Sequence, residues 1–386
     1  MVSTTKNLIF SRAAIARLLI GWGAVLLMAF AAPLFEPQIP VPLLVSSLGL
    51  IIAVILVCSF GVVNEAEHLA RRLGDPYGSL VLTLSIVLIE VVLISAILLG
   101  PGEHATIARD SVMAVSMIIL NAVVGLALLV GGLRHGHLVH NRTGTSSYMS
   151  MIIVLASLAF ALPALIGANG SYTVGQAIPI IVLTLGVYVF FLAQQMGKQA
   201  VAFREVDPRF LLNSKTDLKT EIATERQPIA EILREHRAEV LLRLGLLVVT
   251  VLPIVLLSHN MAALLDDGLS RMGAPVALSG VLIAMIVFLP ESITTVRAAL
   301  SGEAQRVTNL CHGAAVSTVG LTIPAVLLIG ILTDQQIVLA ESPANLLILG
   351  VTLLLSVSTF SAKKVTAMHG ATHLVLFAVY GLVIFS

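Results

Sequence analysis

Long apolar runs, separated by short polar breaks, fill this chain from end to end. They lie near 13–35, 41–63, 79–100, 112–133, 148–168, 174–196, 240–264, 276–300, 311–332, 344–361 and 367–385. A hydrocarbon core of about 30 Å needs about 20 apolar residues in a helix. The pattern predicts an all-α integral membrane protein with about 11 transmembrane helices. A membrane β-barrel would instead show alternating segments of about 10 residues. Gly, Pro and clustered charge occupy the breaks, as turns require. The longest polar stretch, 197–239, reads as a cytoplasmic loop in which "DLKTEIATERQPIAEILREHRAEVLL" has helical spacing and starts a surface helix continuous with the seventh span. Lys6 and Arg12 precede a first run of full spanning length without a small-residue cleavage site, so a retained helix is expected there.

Composition supports this reading. Hydrophobic residues make up 58% of the chain and charged residues 11%, against about 25% charged in soluble domains. Mean hydropathy is +1.01. A net charge of +1 offers no footprint for nucleic acid. No Gly-rich phosphate loop is present, so no nucleotide partner is expected and the energy source should be an ion gradient. Cys58 and Cys311 both fall in apolar runs and read as small core residues. Orientation follows from Lys and Arg. With the N-terminus in the cytoplasm, Arg71, Arg72, Arg134, Arg142, the 197–239 loop, Arg297, Arg306, Lys363 and Lys364 fall inside. Arg109 and Arg271 fall outside, and so does the C-terminus.

An internal repeat organises the spans. "EHLARRLGDP" (67–76) matches "DDGLSRMGAP" (266–275) at Glu67 and Asp266, Arg72 and Arg271, Gly74 and Gly273, and Pro76 and Pro275. The span after each holds one carboxylate, Glu90 or Glu291, and the next span holds Ser116 or Ser317. Five spans separate the copies, so they run in opposite senses. Inverted repeats with a site near the midplane are a mark of secondary transporters. The expected layout is 1 + 5 + 5: an extra helix in 1–40, a first repeat in 41–196, a cytoplasmic loop in 197–239 and a second repeat in 240–386.

Glu90 and Glu291 are the deep acids, each costing about 2.5–3.5 kcal/mol at a helix centre on insertion scales. Two carboxylates sharing an apolar site repel, and either a cation or protons relieve that repulsion. This is the chemistry of exchange at one site. The surrounding candidates are oxygen donors, which suit Ca²⁺, Mg²⁺, Mn²⁺ or Na⁺. They are the hydroxyls of Thr83, Ser85, Ser116, Ser292, Thr294, Ser317 and Thr318, the amide of Asn121, and carbonyls freed near Pro290. His312, His369 and His373 are candidate proton relays; His135, His137 and His140 sit in a basic loop and read as structural.

The residues resemble the cation/calcium exchanger superfamily, in its bacterial Ca²⁺/H⁺ antiporter branch, which also includes Na⁺ and K⁺ carriers. "EAEHLARRLGDPYGSLVLTLSIVLIEVVLISA" is similar to the first α-repeat, with its glutamate at Glu90, and "FLPESITTVRAALSGEAQRVTNLCHGAAVSTVGLTIP" to the second, with Glu291. "VYVFFLAQQMGKQ" and "HGATHLVLFAVY" resemble the ends of the two halves. The resemblance implies a multi-pass antiporter of the bacterial inner membrane, without cofactor or enzymatic activity. It would exchange a cytoplasmic cation, Ca²⁺ first and Na⁺ or K⁺ as the alternative, for protons at Glu90 and Glu291; its partners are those ions and membrane lipid. One departure stands out. Most calcium/proton exchangers carry Gly-Asn shortly before each glutamate, whereas this chain reads "IVLIE" and "FLPE". Hydroxyls and carbonyls would have to complete the ion's shell.

A reporter fused after Ser386 tests the layout. Activity confined to the external side is expected from the Lys/Arg asymmetry; a signal only from the cytoplasm would overturn the 11-span count.

Overall fold

The computed structural model describes residues 11–31, 39–73, 105–206, 236–275 and 277–385, with backbone alone for 70–73 and 277. It also describes positions 84, 87, 88, 90–92, 94, 95 and 98. Among the described residues, ten helices are long and apolar enough to cross a bilayer. They are α1 (Arg12–Ala31), α2 (Val41–Leu73), α3 (Ile107–His135), α4 (Arg142–Ile166) and α5 (Val174–Met196). The second half supplies α6 (Arg237–Arg271), α7 (Ala277–Ser301), α8 (Ala304–Thr333), α9 (Pro343–Ser361) and α10 (Ala367–Ile384). The expected span at 79–100 lies largely outside the described residues; its described positions are helical, and it is called the Glu90 segment below.

Two helices run longer than expected. The stretch 64–73 reads as a break in the sequence, yet α2 continues through it. Likewise α6 carries Asp266 and Asp267, which were expected in a loop. Ion pairs explain both extensions: Arg306 Nη2 lies 3.7 Å from Glu67, and Arg271 grips Asp267 through Nε and Nη2 at 2.9 and 2.6 Å. α6 begins at Arg237; the part of the expected surface helix that precedes His236 lies outside the described residues.

The helices α3 and α8 form the centre. Their apolar windows are 83% and 67% buried, against 22% for α1 and 17% for α10, whose outer faces are left for lipid. The two halves exchange partners: α5 packs on α8, α10 packs on α3, and α2 pairs with α6. Glycines allow the α3–α10 contact. A Cβ at Gly370 would collide with the backbone of Gly125 and Leu129, and one at Gly132 with the backbone of Ala367. α3 and α4 each contain a π-helical turn, at Ile118–Val123 and Ser157–Ala161. Such turns insert a residue into the helical ladder and often mark functional sites.

Loops gather on two faces. On one, Leu138 and Val365 form an antiparallel bridge, His135 Nε2 meets Leu300 O at 2.9 Å, and Gln305 N donates to Glu205 Oε2 at 2.9 Å. This basic face holds Arg134, Arg142, Arg306, Lys363 and Lys364. On the opposite face, Val338 N donates to Ala105 O, Leu339 N to Gly170 O, and Glu341 N to Phe160 O. There Arg109 and Arg271 are each held by an aspartate and by a carbonyl, Ala340 O and Ile39 O respectively.

α2 and α6 are locked near the basic face by a buried charge cluster. Arg243 Nη1 donates to Glu65 Oε2 at 2.7 Å, and its Nε donates to Glu239 Oε1 at 3.2 Å. All three side chains are at most 10% exposed. Removing one member of a buried ion pair is far more damaging than never having had the pair, because the partner's desolvation remains uncompensated. Arg243→Met should therefore destabilise the protein by about 3 kcal/mol or more, read as a lowered unfolding midpoint in detergent. An unchanged midpoint would mean that the cluster contributes no net stability.

Candidate functional site

The sequence places Glu90 and Glu291 at equivalent points of two copies, and the structure buries both. Glu90 is 3% exposed and Glu291 4%. Thr318 Oγ1, from α8, donates to Glu90 Oε2 at 2.7 Å. Glu90 Oε1 and both oxygens of Glu291 have no hydrogen-bond partner among the described residues. The two carboxylates lie close enough for the charge of one to act on the other. Buried carboxylate oxygens without donors are costly in an apolar medium. A small cavity opens beside Glu90, about 20 Å³ to the centre of a water-sized sphere, which is room for one water or one bare ion. It runs past Ile94 and Val115 to Ser111 and Gly280, in the first turns of α3 and α7. Those turns begin on the arginine-poor face, so the cavity extends from Glu90 toward that face.

Helix α7 runs through Pro290 without interruption. A proline has no N–H to give, so the carbonyl four residues earlier, on Ile286, loses its helical donor beside Glu291. Thr294 Oγ1 donates to Pro290 O at 3.0 Å, and Ser292 Oγ to Phe288 O at 2.8 Å. Both hydroxyls thus spend their protons on their own helix and keep lone pairs free.

The other candidates separate into distinct groups. Ser116 donates to Val112 O at 2.7 Å. Ser317, its equivalent, accepts from Tyr188 of α5 at 3.0 Å. Asn121 sits in the π-helical turn of α3, turned toward α9 and α10. Its Nδ2 donates to Thr352 Oγ1 at 2.9 Å, and its Oδ1 lies 3.2 Å from His373 Nδ1. His373 Nε2 in turn lies 3.2 Å from Thr359 Oγ1. His369, one turn away, caps α10, with Thr366 N donating to its Nδ1 at 3.2 Å. His312 is fully buried against Phe360, ring centroids 4.5 Å apart, and neither ring nitrogen is bonded among the described residues. Ser85 and Thr83 lie outside the described residues. In the basic loop, His135 turns to Leu300 O, while buried His140 holds Phe360 O at 3.0 Å; burial keeps the His140 imidazole below the ordinary histidine range.

Three contributors were not foreseen from the sequence: Tyr188, Thr352 and Thr359. A signal existed for the α9 pair. Thr352, Ser356 and Thr359 recur at helical spacing in an otherwise apolar span, which marks one polar stripe.

A bundle of spanning helices with exchanged packing partners and two donor-poor carboxylates at its centre has the architecture of a membrane ion transporter. The comparisons agree. The family described as "Sodium/calcium exchanger protein" matches residues 43–197 and 242–386, and the chain belongs to that family. It is 31% identical over 350 residues to the "Sodium-potassium/proton antiporter ChaA" of Escherichia coli (strain K12), covering 90% of each chain. The fold matches that of an "H+/Ca2+ Exchanger CAX" with a TM-score of 0.66 at 14% identity, over 96% of this chain and 89% of the other. It also matches "native YfkE" with a TM-score of 0.63 at 14% identity, over 96% and 99%.

Asn121 makes the α3–α9–α10 network. Asn121→Leu leaves Thr352 and His373 buried without it, at a cost of about 1–3 kcal/mol, so the thermal midpoint should drop. Adding Thr352→Val and His373→Phe should recover part of the loss, since removing every polar partner is milder than removing one. No recovery would mean that the network's value lies in shape alone.

Proposed function

We propose that the chain is a secondary antiporter exchanging a cytoplasmic cation for external protons at one site shared by Glu90 and Glu291. The observation that carries this reading is the state of Glu291: both carboxylate oxygens are buried, and no described donor reaches them. Such a group needs a cation or a proton, and the Glu90 charge beside it makes the need greater. A carrier must hold one or the other, and release of one admits the other. The cavity beside Glu90 supports access from the arginine-poor face, read here as external by the positive-inside rule. Thr318, Thr294, Ser292 and Ser317 would supply further oxygens. Asn121, in the π-helical turn of α3, is engaged by Thr352 and His373 and ties α3 to α9 and α10 instead.

For the cation, the paired charges alone favour Ca²⁺. Two features favour Na⁺ or K⁺ ahead of it. The family's asparagine donors are absent before each glutamate, and Ca²⁺ calls for six to eight oxygens. The 31%-identical relative is named for sodium, potassium and proton exchange. Ca²⁺ stays as the second reading, supported by the charge of the pair. A proton relay through His312 fits its place one turn and a half before Ser317 on α8, beside His140 and the basic face.

Inside-out vesicles with an imposed pH gradient test both points, with Na⁺, K⁺ and Ca²⁺ supplied separately. Proton-coupled uptake of a monovalent cation is expected. Glu291→Gln should abolish it and weaken cation binding by on the order of 10- to 100-fold, the worth of a charged contact. Normal exchange by the Glu291→Gln protein would end the shared-site mechanism.

A further inference from the structure

A second polar cavity, of about 250 Å³, lies at the arginine-poor face between the first turns of α3 and α9 and the last turn of α10. We propose that it is a second cation site, distinct from Glu90 and Glu291, that holds a hydrated alkali-metal ion through Glu341. Nothing in the exchange mechanism above uses it.

Glu341 is the reason. Its side chain is 2% exposed and lines the cavity. Oε2 is satisfied by Ser342 N at 3.0 Å and Asn345 Nδ2 at 2.8 Å. Oε1 has no hydrogen-bond partner among the described residues. Among the described residues its cationic partner is Arg109, whose Nε forms a long ion pair with Oε1 at 3.8 Å, beyond hydrogen-bond reach. That guanidinium is engaged elsewhere: Nε and Nη2 meet Asp110 Oδ1, each at 2.8 Å, and Nη1 donates to Ala340 O at 3.0 Å. Arg109 thus faces two carboxylates, Asp110 at 2.8 Å and Glu341 at 3.8 Å, and its single charge offsets only one of them.

The carboxylate is also held in place before any ion arrives. Glu341 N donates to Phe160 O, and Ala340 N, just before it, to Gly170 O. The room matters too. At about 30 Å³ per water, the cavity takes an ion with most of its hydration shell. The chemistry selects a monovalent ion. One carboxylate charge and one free oxygen match it, whereas Ca²⁺ seeks six to eight oxygens and is repelled twice as strongly by Arg109. This cavity also lies apart from the one at Glu90. Arg109 and Met113 line the former, Ser111 and Val115 the latter, on opposite sides of α3.

Occupancy should depend on pH. Among the described residues, the titratable groups facing Glu341 are Arg109 and Asp110 of α3 and Tyr380 of α10. Burial raises the Glu341 carboxyl above the ordinary range, against the opposing pull of Asn345, Arg109 and Ser342, with Asp110 adding to the rise. Protons therefore displace the ion as pH falls, starting above the ordinary carboxylate range of about 4.3.

The test uses the full chain in detergent with Glu90→Gln and Glu291→Gln, which removes the exchange site, so its outcome is independent of whether that site is correctly assigned. NaCl or KCl replaces choline chloride at constant ionic strength, and the thermal midpoint is followed. A saturable rise is expected, weaker at acid pH than at neutral pH because protonation of a raised carboxyl removes the ligand. Glu341→Gln should move the rise to at least about tenfold higher salt, the loss of one charged contact. Met113→Lys, which places a tethered ammonium in the cavity and leaves Glu341 intact, should remove the response as well. Absence of a saturable rise, a rise at unchanged salt concentration in either variant, or a larger rise with CaCl₂ at matched ionic strength would overturn the proposal.

Discussion

Charge in hydrocarbon must be answered from within the protein, and the rest of this structure depends on that constraint. No water is at hand to solvate a carboxylate in the middle of a span, so each buried acid needs a donor, a cation or a proton. Glu65 and Glu239 are answered by Arg243, and Asp110 by Arg109. Glu90 is half answered by Thr318, and Glu291 has no described donor. The difference separates structure from function. Acids with fixed partners hold helices together, and in the exchange proposed above the acids with open valences take up an ion or a proton in turn.

The same constraint explains why so much was legible. Spans are readable because lipid demands long apolar helices, and ten of them stand where runs of hydrophobic residues predict. Glu90 and Glu291 were conspicuous because a lone acid in "LSIVLIEVVLIS" has few structural reasons to exist. Helix ends were less readable. α2 outlasts its apolar run with the help of a salt bridge to distant Arg306, which has no local signature, whereas the end of α6 carries a local i,i+4 pair, Asp267 with Arg271, whose guanidinium also reaches distant Ile39 O.

Side-chain partners were the least readable. Asn121 looked like an ion ligand, yet a π-helical turn swings it toward Thr352 and His373, which are 231 and 252 residues away. Nothing in "MAVSMIILNAVVG" announces the extra residue in that turn. His369 and His373 share spacing and chemistry, but one caps a helix while the other is buried in a network. Glu341 sits in a polar link that reads as an ordinary loop. Its character comes from three backbone segments that close around it, and that arrangement is tertiary.

The glycines between α3 and α10 have a mechanical consequence. With backbone against backbone at Gly125, Gly132 and Gly370, there is no layer of side chains to act as a bearing. Close-packed surfaces of this kind do not slide continuously; they stay in register or come apart. Relative sliding of these two helices would therefore require their backbones to part, although they come from opposite halves of the chain. Any relative motion must be taken up where side chains separate the backbones. The pair α2–α6, which carries α1 on its outer side and meets α7 on its inner side, has that kind of boundary. The tight contact thus binds one helix from each half of the chain to the other.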